Sequence, residues 1–407
     1  VRQHTPARMI DVARLAGVSQ QTVSRVVNGH SNVAPEARKR VDQAIAQLRY
    51  RPNAAARSLA TKRSMNLGVI AYGLARHGPS VVLTGIVEAA RSHGYATSLV
   101  SPLTADCAGI RSAIEHLVDE SVDGIILLTS VEAAVDTVVE LDVGAPLVVF
   151  APNVPGSNTF AADEVFGARL ATQHLLSLGH PTVVHLSGPG DWLATQARIK
   201  GWWSALTAAN RPVLELIPTT WDAPSGYQSA KRVLELDGVT AVFAANDQTA
   251  LGLMRGLADA GVRVPEDISV VGFDDFPEAA NFSPPLTTIR VDFTDIGRVA
   301  VEKLLDRLND RESETMGPLE PKLMLRSSTA PPPKATVDRR HATHQLKGIG
   351  ASNGFSRSGS NRLVRARALH WYECTGQLPR PVGLRGGRVN RRLCCDRDLR
   401  RAGLHIH

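Results

Sequence analysis

The 407-residue sequence predicts a small all-α head followed by a larger α/β body, with parallel sheets in two lobes and helices on both sheet faces. Three observations predict it. Apolar residues recur at helical spacing across residues 9–48. From Asn66 onward, short apolar runs alternate with amphipathic stretches, the signature of βαβ units. That alternation continues to about residue 330, too long for one open sheet and suited to two similar lobes.

In the head, Met9 to Ala16 reads as a short amphipathic helix with Ile10, Ala13 and Leu15 turned inward. Gly17 permits the left-handed turn that stops it. Ser19 is a good N-cap for a second helix, Gln20 to Val27. There Val23, Val26 and Val27 share one face, and Gln20, Gln21, Ser24 and Arg25 the other. The apolar face docks on the first helix. The opposite face presents amide and guanidinium donors, groups that pair bidentately with adenine and guanine in a major groove. A third helix, Pro35 to Leu48, buries Ala37, Val41, Ala44, Ile45 and Leu48, and Pro35 suits its first turn. Arg38, Lys39 and Arg40 lie near a DNA backbone or face water.

Charge follows the same partition: net +9 over residues 1–63, −14 over 64–330 and +12 over 331–407. A basic head on an acidic body fits contact with nucleic acid at one end, and equally fits solvated surface charge. No run of 18 apolar residues predicts a membrane span. The polar stretch Val1 to Asp11 does not read as a secretory signal. Cys107, Cys374, Cys394 and Cys395 form no disulfide framework and suit a reducing cytoplasm. Nucleophile elbows, phosphate-binding Gly-Lys-Ser/Thr loops and metal-spaced His/Cys clusters do not occur, so neither an enzyme nor a cofactor or metal is expected.

The segment Asp11-Val12-Ala13-Arg14-Leu15-Ala16-Gly17-Val18-Ser19, then Thr22-Val23-Ser24-Arg25-Val26-Val27-Asn28, resembles the helix-turn-helix headpiece of the lactose repressor (LacI/GalR) family. The resemblance covers roughly residues 8–330, through Leu178-Gly179-His180, Ala245-Asn246-Asp247-Gln248, Asp267 to Asp275 and Pro284 to Ile289. It implies a headpiece over 8–50, a hinge over 51–63 and a sensor and dimerisation domain over 64–330, similar to periplasmic sugar-binding proteins. Gln20, Gln21 and Arg25 would read bases, with further DNA contacts from Ser19, Thr22, Asn28 and Asn53. Tyr50 to Ala60 is too short to hold a core. It reads as a linker, or by resemblance as a hinge whose Ala56 and Leu59 enter the minor groove. Leu251 and Phe282 would lie at a homodimer interface.

Ligands of open α/β sheets sit beyond the C-terminal strand ends, here a cleft between lobes. The resemblance places Leu74, Pro79, Asp163, Arg198, Trp221, Asn246, Asp274 and Phe293 there. Arg198, Asn246 and Asp274 offer directional hydrogen bonds to a polyol, and Trp221, Phe293 and Leu74 offer surface for a sugar face. Each has a plainer alternative: Asn246 and Asp274 as caps or turns, Trp221 as packing, Asp163 as a turn or crossover residue. Asp274 and Asp275, adjacent on a strand, point to opposite faces and do not form an acid/base pair. Leu128 and Ala151 stand where lactose-binding members have asparagine and aspartate, which implies a more apolar wall and a changed ligand.

After Pro331-Pro332-Pro333 the chain, residues 331–407, is rich in Arg, Gly and Ser without a heptad repeat. Its composition predicts disorder, with added DNA affinity or an altered reading frame as further readings. The sequence therefore points to a ligand-responsive repressor of sugar-utilisation genes that binds double-stranded operator DNA. A nucleobase-responsive regulator and a solute-binding transport protein are the alternatives.

Overall fold

The computed structural model describes residues 7–27, 32–50, 63–141, 143–154, 156, 158–311 and 317–334. Asn28, Asn53, Ala56, Leu59 and the tail from residue 335 lie outside the described residues.

The head is three helices, α1 (Met9–Ala16), α2 (Gln20–Val27) and α3 (Pro35–Leu48). Gly17, at φ 65°, ends α1 in the left-handed region and donates its N–H to Ala13 O. Ser19 Oγ accepts from Thr22 N at 3.1 Å, capping α2. Val12, Ala13, Ala16, Val23, Val26, Val41, Ala44 and Tyr50 make the core. The expected inward pair on α1 is corrected: Ile10 and Leu15 are 40% and 47% exposed, while Val12 and Ala16 point in.

The body's first lobe runs β1 (Asn66–Ala71), α4 (His77–Ser92), β2 (Ala96–Val100), α5 (Cys107–Asp119), β3 (Gly124–Leu128), α6 (Glu132–Glu140), β4 (Leu147–Phe150) and β5 (Thr159–Phe160). Its sheet has the order β2-β1-β3-β4-β5, every pair parallel. The second lobe runs α7 (Glu164–Ser177), β6 (Val184–Ser187), α8 (Leu193–Ala208), β7 (Leu216–Pro218), α9 (Ala223–Glu235), β8 (Ala241–Ala244), α10 (Asp247–Asp259) and β9 (Ser269–Val271). Its sheet has the order β7-β6-β8-β9, again parallel. Central strands are apolar throughout, as burial on both faces requires: β3 and β8 are buried at every position.

The chain then turns back. An antiparallel pair, β10 (Thr288–Arg290) and β11 (Lys322–Met324), flanks α11 (Phe293–Leu308), which packs on α4 of the first lobe. That crossing is close because both helices carry glycine: a Cβ on Gly297 would lie 2.4 Å from Val82 O, and one on Gly85 2.4 Å from Thr294 O. The crossover segments lie side by side, with Asp163 N donating to Leu319 O (2.9 Å) and Leu319 N to Ala161 O (3.0 Å). At another point the lobes meet directly. Leu193 N donates to Ser130 O (2.8 Å), Glu132 N donates to Asp191 O (2.9 Å), and Val131 and Trp192 form an antiparallel bridge. Among the described residues no helix is long and apolar enough to cross a membrane.

Candidate functional site

Both parallel sheets present their C-terminal strand ends to one cleft, with an empty volume of about 740 Å³ including its open mouth. Tyr72 follows β1, Leu128 ends β3, Phe150 ends β4, Trp221 follows β7, Asn246 follows β8 and Asp274 follows β9; all line it. Pro79 in the first turn of α4 and Phe293 at the start of α11 complete the first lobe's side.

Arg198, on α8, is the centre of the polar floor. Its Nε donates to Glu164 Oε2 at 2.7 Å, its Nη2 to Asp274 Oδ1 at 3.2 Å, and its Nη1 to Ala245 O. The guanidinium carbon lies 3.8 Å from the Phe273 ring centroid and 5.3 Å from that of Trp221, a cation held against aromatic faces. Burial by itself would lower the Arg198 pKa, but Glu164 and Asp274 reverse this and raise it. Asp274 feels burial first, with Arg198 opposing and Glu164 adding, and its carboxyl is raised to about 7. Burial also pushes Asp247 well above the usual carboxylate range, with Asp274 adding to the effect. The Asp247 carboxyl accepts from Thr288 Oγ1 and Phe276 N.

The backbone here is strained. Trp221 has φ 69° and Asp274 φ 101°, in the left-handed region that side chains disfavour, and Asp275 follows at φ 54°. The two aspartates have different partners, Asp274 meeting Arg198 while Asp275 holds Arg290 (2.7 Å) and Arg326 (2.6 Å) on the crossover segments, but they lie beyond the end of β9 and not on a strand as expected.

Asn246 is a helix cap that also lines the cleft. Its Oδ1 accepts from Thr249 N (2.9 Å), capping α10, and its Nδ2 donates to Trp221 O (3.0 Å), while the residue lines the cleft. Phe293 stands edge-on to His77, with centroids 5.8 Å apart. Two expected residues are not among those lining the cleft. Leu74 is half-buried and packs against the main core. Asp163 spends its carboxylate on the N-cap of α7, accepting from Phe166 N at 2.8 Å. Of the two changed positions, Leu128 lines the cleft and Ala151 is buried in a first-lobe core.

Glu164, Tyr72, Arg76, His77, Trp192 and Phe276 also line the cleft and were not expected from the sequence. Trp192 sits 6.3 Å from Tyr72 and 6.1 Å from Trp221, with Arg76 4.8 Å over its ring. The rule that ligands gather beyond strand ends could have found Trp192, which comes five residues after β6. Glu164 gave no signal, since its partner Arg198 is distant in sequence. In the head, Gln20, Gln21 and Arg25 are exposed on α2, as is the capping Ser19 before it, and Thr22 is half-buried. Leu251 is exposed on α10, and Phe282 is half-buried with its ring 5.6 Å from Phe276.

A helix-turn-helix head and a two-lobed body closed around a cleft define a DNA-binding transcription regulator with a sensor-type domain. Residues 8–53 match the model for bacterial regulatory proteins of the lacI family, and residues 172–329 match a periplasmic binding protein-like domain. The lactose operon repressor of Escherichia coli is 35% identical over 347 residues, 84% of this chain and 96% of that protein. The transcriptional repressor PurR of Vibrio parahaemolyticus is 33% identical, covering 79% and 98%. Among solved structures, the lac repressor dimer bound to operator and the anti-inducer ONPF superposes with a TM-score of 0.72 at 33% identity, over 80% of this chain and all of that one. The chain belongs to the lacI family of DNA-binding transcriptional repressors.

Proposed function

We propose that this repressor works in the cytoplasm as a homodimer on a two-fold operator and leaves it when a small uncharged polyol, a sugar or glycoside, occupies the cleft. The observation that carries the ligand class is the Arg198–Asp274 pair set among Trp221, Trp192 and Phe293. Fixed donors and acceptors beside flat apolar faces match the alternating edges and faces of a sugar ring. The similarity to a lac repressor dimer on operator supports the dimer, with Leu251 and Phe282 as interface residues. Ala56 and Leu59 would enter the minor groove, and Ser19, Thr22, Asn28 and Asn53 would make further DNA contacts. Sedimentation checks the assembly, and a monomer at operator-binding concentrations would overturn it.

Flat aromatic walls also accept a nucleobase, and a relative is PurR, so the deciding screen includes both classes. Sugars, glycosides and nucleobases are tested by thermal shift, then by release of labelled operator. A saccharide that does both is expected, and a purine that tightens operator binding instead would replace this reading. Asp274→Asn should raise the concentration of that saccharide needed for release at least about tenfold. Its operator affinity without ligand should stay at the wild-type value.

Gln20, Gln21 and Arg25 are the proposed base readers. Arg25→Ala should weaken operator binding by about 1–3 kcal/mol and relax preference at one base pair per half-site. Titration against a set of single-base operator variants checks this. Uniform weakening across the set would assign Arg25 to phosphate instead.

A further inference from the structure

Cations that face the cleft are few, and the central one is already compensated. Among the described residues the lining contains no lysine; its basic residues are Arg76, His77 and Arg198. Arg198 is held by two carboxylates of the lining, Glu164 at 2.7 Å and Asp274 at 3.2 Å. Arg76 lies over the Trp192 ring. Burial holds the His77 imidazole below its ordinary value, against the pull of Glu278 and Asp275, which favours its neutral form. Against these stand Glu164, Asp247 and Asp274, all in the lining, and Glu164 is only 2% exposed.

We propose that Glu164 is a specificity-determining residue: by fixing and neutralising Arg198 it restricts the effector to uncharged or amine-bearing compounds and excludes phosphorylated or carboxylated ones. The inference deepens the polyol reading of the same cleft, on which it rests for the choice of saccharide probes.

The argument is electrostatic and geometric. A phosphate ester in this cleft needs a guanidinium with donors to spare and a local excess of positive charge. Arg198 already spends three of its five N–H groups within the protein, two of them on carboxylates. An incoming anion would approach the Asp274 carboxyl, mostly ionised above pH 7, at short range in a partly desolvated site, where like charges repel strongly. An uncharged hydroxyl meets no such cost: it donates to a carboxylate and accepts from a remaining guanidinium N–H. An ammonium gains further from the carboxylates and from the aromatic walls of Trp192, Trp221 and Phe293.

The experiment uses the full chain and matched pairs that differ only in charge. Glucose, glucosamine and glucose 6-phosphate form one set, galactose and galactose 6-phosphate a second, and adenosine and adenosine 5′-phosphate a third. Calorimetry or thermal shift at pH 7.5 reads relative affinity within each set. Wherever a set binds, the uncharged or amine member should bind at least about tenfold more tightly than its phosphate. In Glu164→Gln that preference should shrink several-fold, with the gain appearing in the phosphate ester. If the adenosine pair binds and the sugars do not, the polyol reading falls while the charge preference is still read from that pair. A phosphate ester that binds as tightly as its uncharged partner in the wild type overturns the inference. So does an undiminished preference in a folded Glu164→Gln protein. Should that variant not fold, Glu164→Asp, which keeps the charge but shortens the reach to Arg198 Nε, replaces it. It is expected to lose part of the preference, and an unchanged preference there also counts against the proposal.

Discussion

Arg198→Ala is expected to lose about 3–5 kcal/mol of folding stability and to abolish the response to effector. The loss follows from what the substitution leaves behind. Glu164 and Asp274 would face each other across a cavity without their common cation, and Ala245 O would lose its donor. Phe273 would lose the guanidinium packed 3.8 Å from its centre. Urea denaturation of wild type and variant measures the cost. Replacing the whole triad, Arg198→Met with Glu164→Gln and Asp274→Asn, should cost less than Arg198→Ala alone, because no buried charge is stranded. A single substitution costing less than 1 kcal/mol would mean that water reaches these groups freely.

A second large effect is expected in acid. His185 is fully buried on β6, stacked on Phe243 at 4.5 Å and beside Trp202 at 5.6 Å. Its Nδ1 lies 3.0 Å from Phe243 O and donates to it, which fixes the neutral tautomer, and its Nε2 is buried without a partner. Burial, with a smaller contribution from Arg198, depresses its pKa from 6.5 to about 3. A base depressed in the folded state contributes stability that is complete above pH 6.5 and drains away as pH falls toward 3. The loss is on the order of 4 kcal/mol at the lower end. Asp274 runs the other way, since a carboxyl raised to about 7 favours the fold at low pH and loses that contribution as pH rises through 7. The difference between wild type and His185→Phe isolates the histidine. The variant is expected to be slightly less stable at pH 8, having lost one hydrogen bond, and to show a shallower decline below pH 6.5. Parallel profiles would show that His185 gains a proton without cost.

The central strands β1, β3, β6 and β8 were legible because hydrophobic periodicity responds to burial, and these strands are buried on both faces. The short strands β5, β7, β10 and β11, partly exposed or only two or three residues long, left no such signal. The α1 register was not legible. Residues 10, 12, 13, 15 and 16 are all apolar, so two overlapping stripes fit one helix, and only the packing of α2 and α3 selects Val12 and Ala16 over Ile10 and Leu15. Within the cleft, the strand-end residues Trp221, Asn246 and Asp274 were readable from their place after β7, β8 and β9. Leu74 and Asp163 stood at equally suggestive positions, yet local geometry turned one to the core and the other to a helix cap. Glu164 shows the limit most clearly. A buried acid is intelligible only beside the cation that compensates it, and the chain places that cation on another helix.

The bridge between Val131 and Trp192 has a kinetic consequence. Two amides, Leu193 N and Glu132 N, donate across from one lobe to the other beside Trp192, whose indole forms part of the cleft wall. The lobes cannot part at this point without releasing both. Entry and escape of a ligand through this side would thus share an opening step with the exchange of those two amide protons for solvent deuterium. The lifetime of an occupied cleft would then be set less by the ligand's own contacts than by how often a two-rung ladder comes undone.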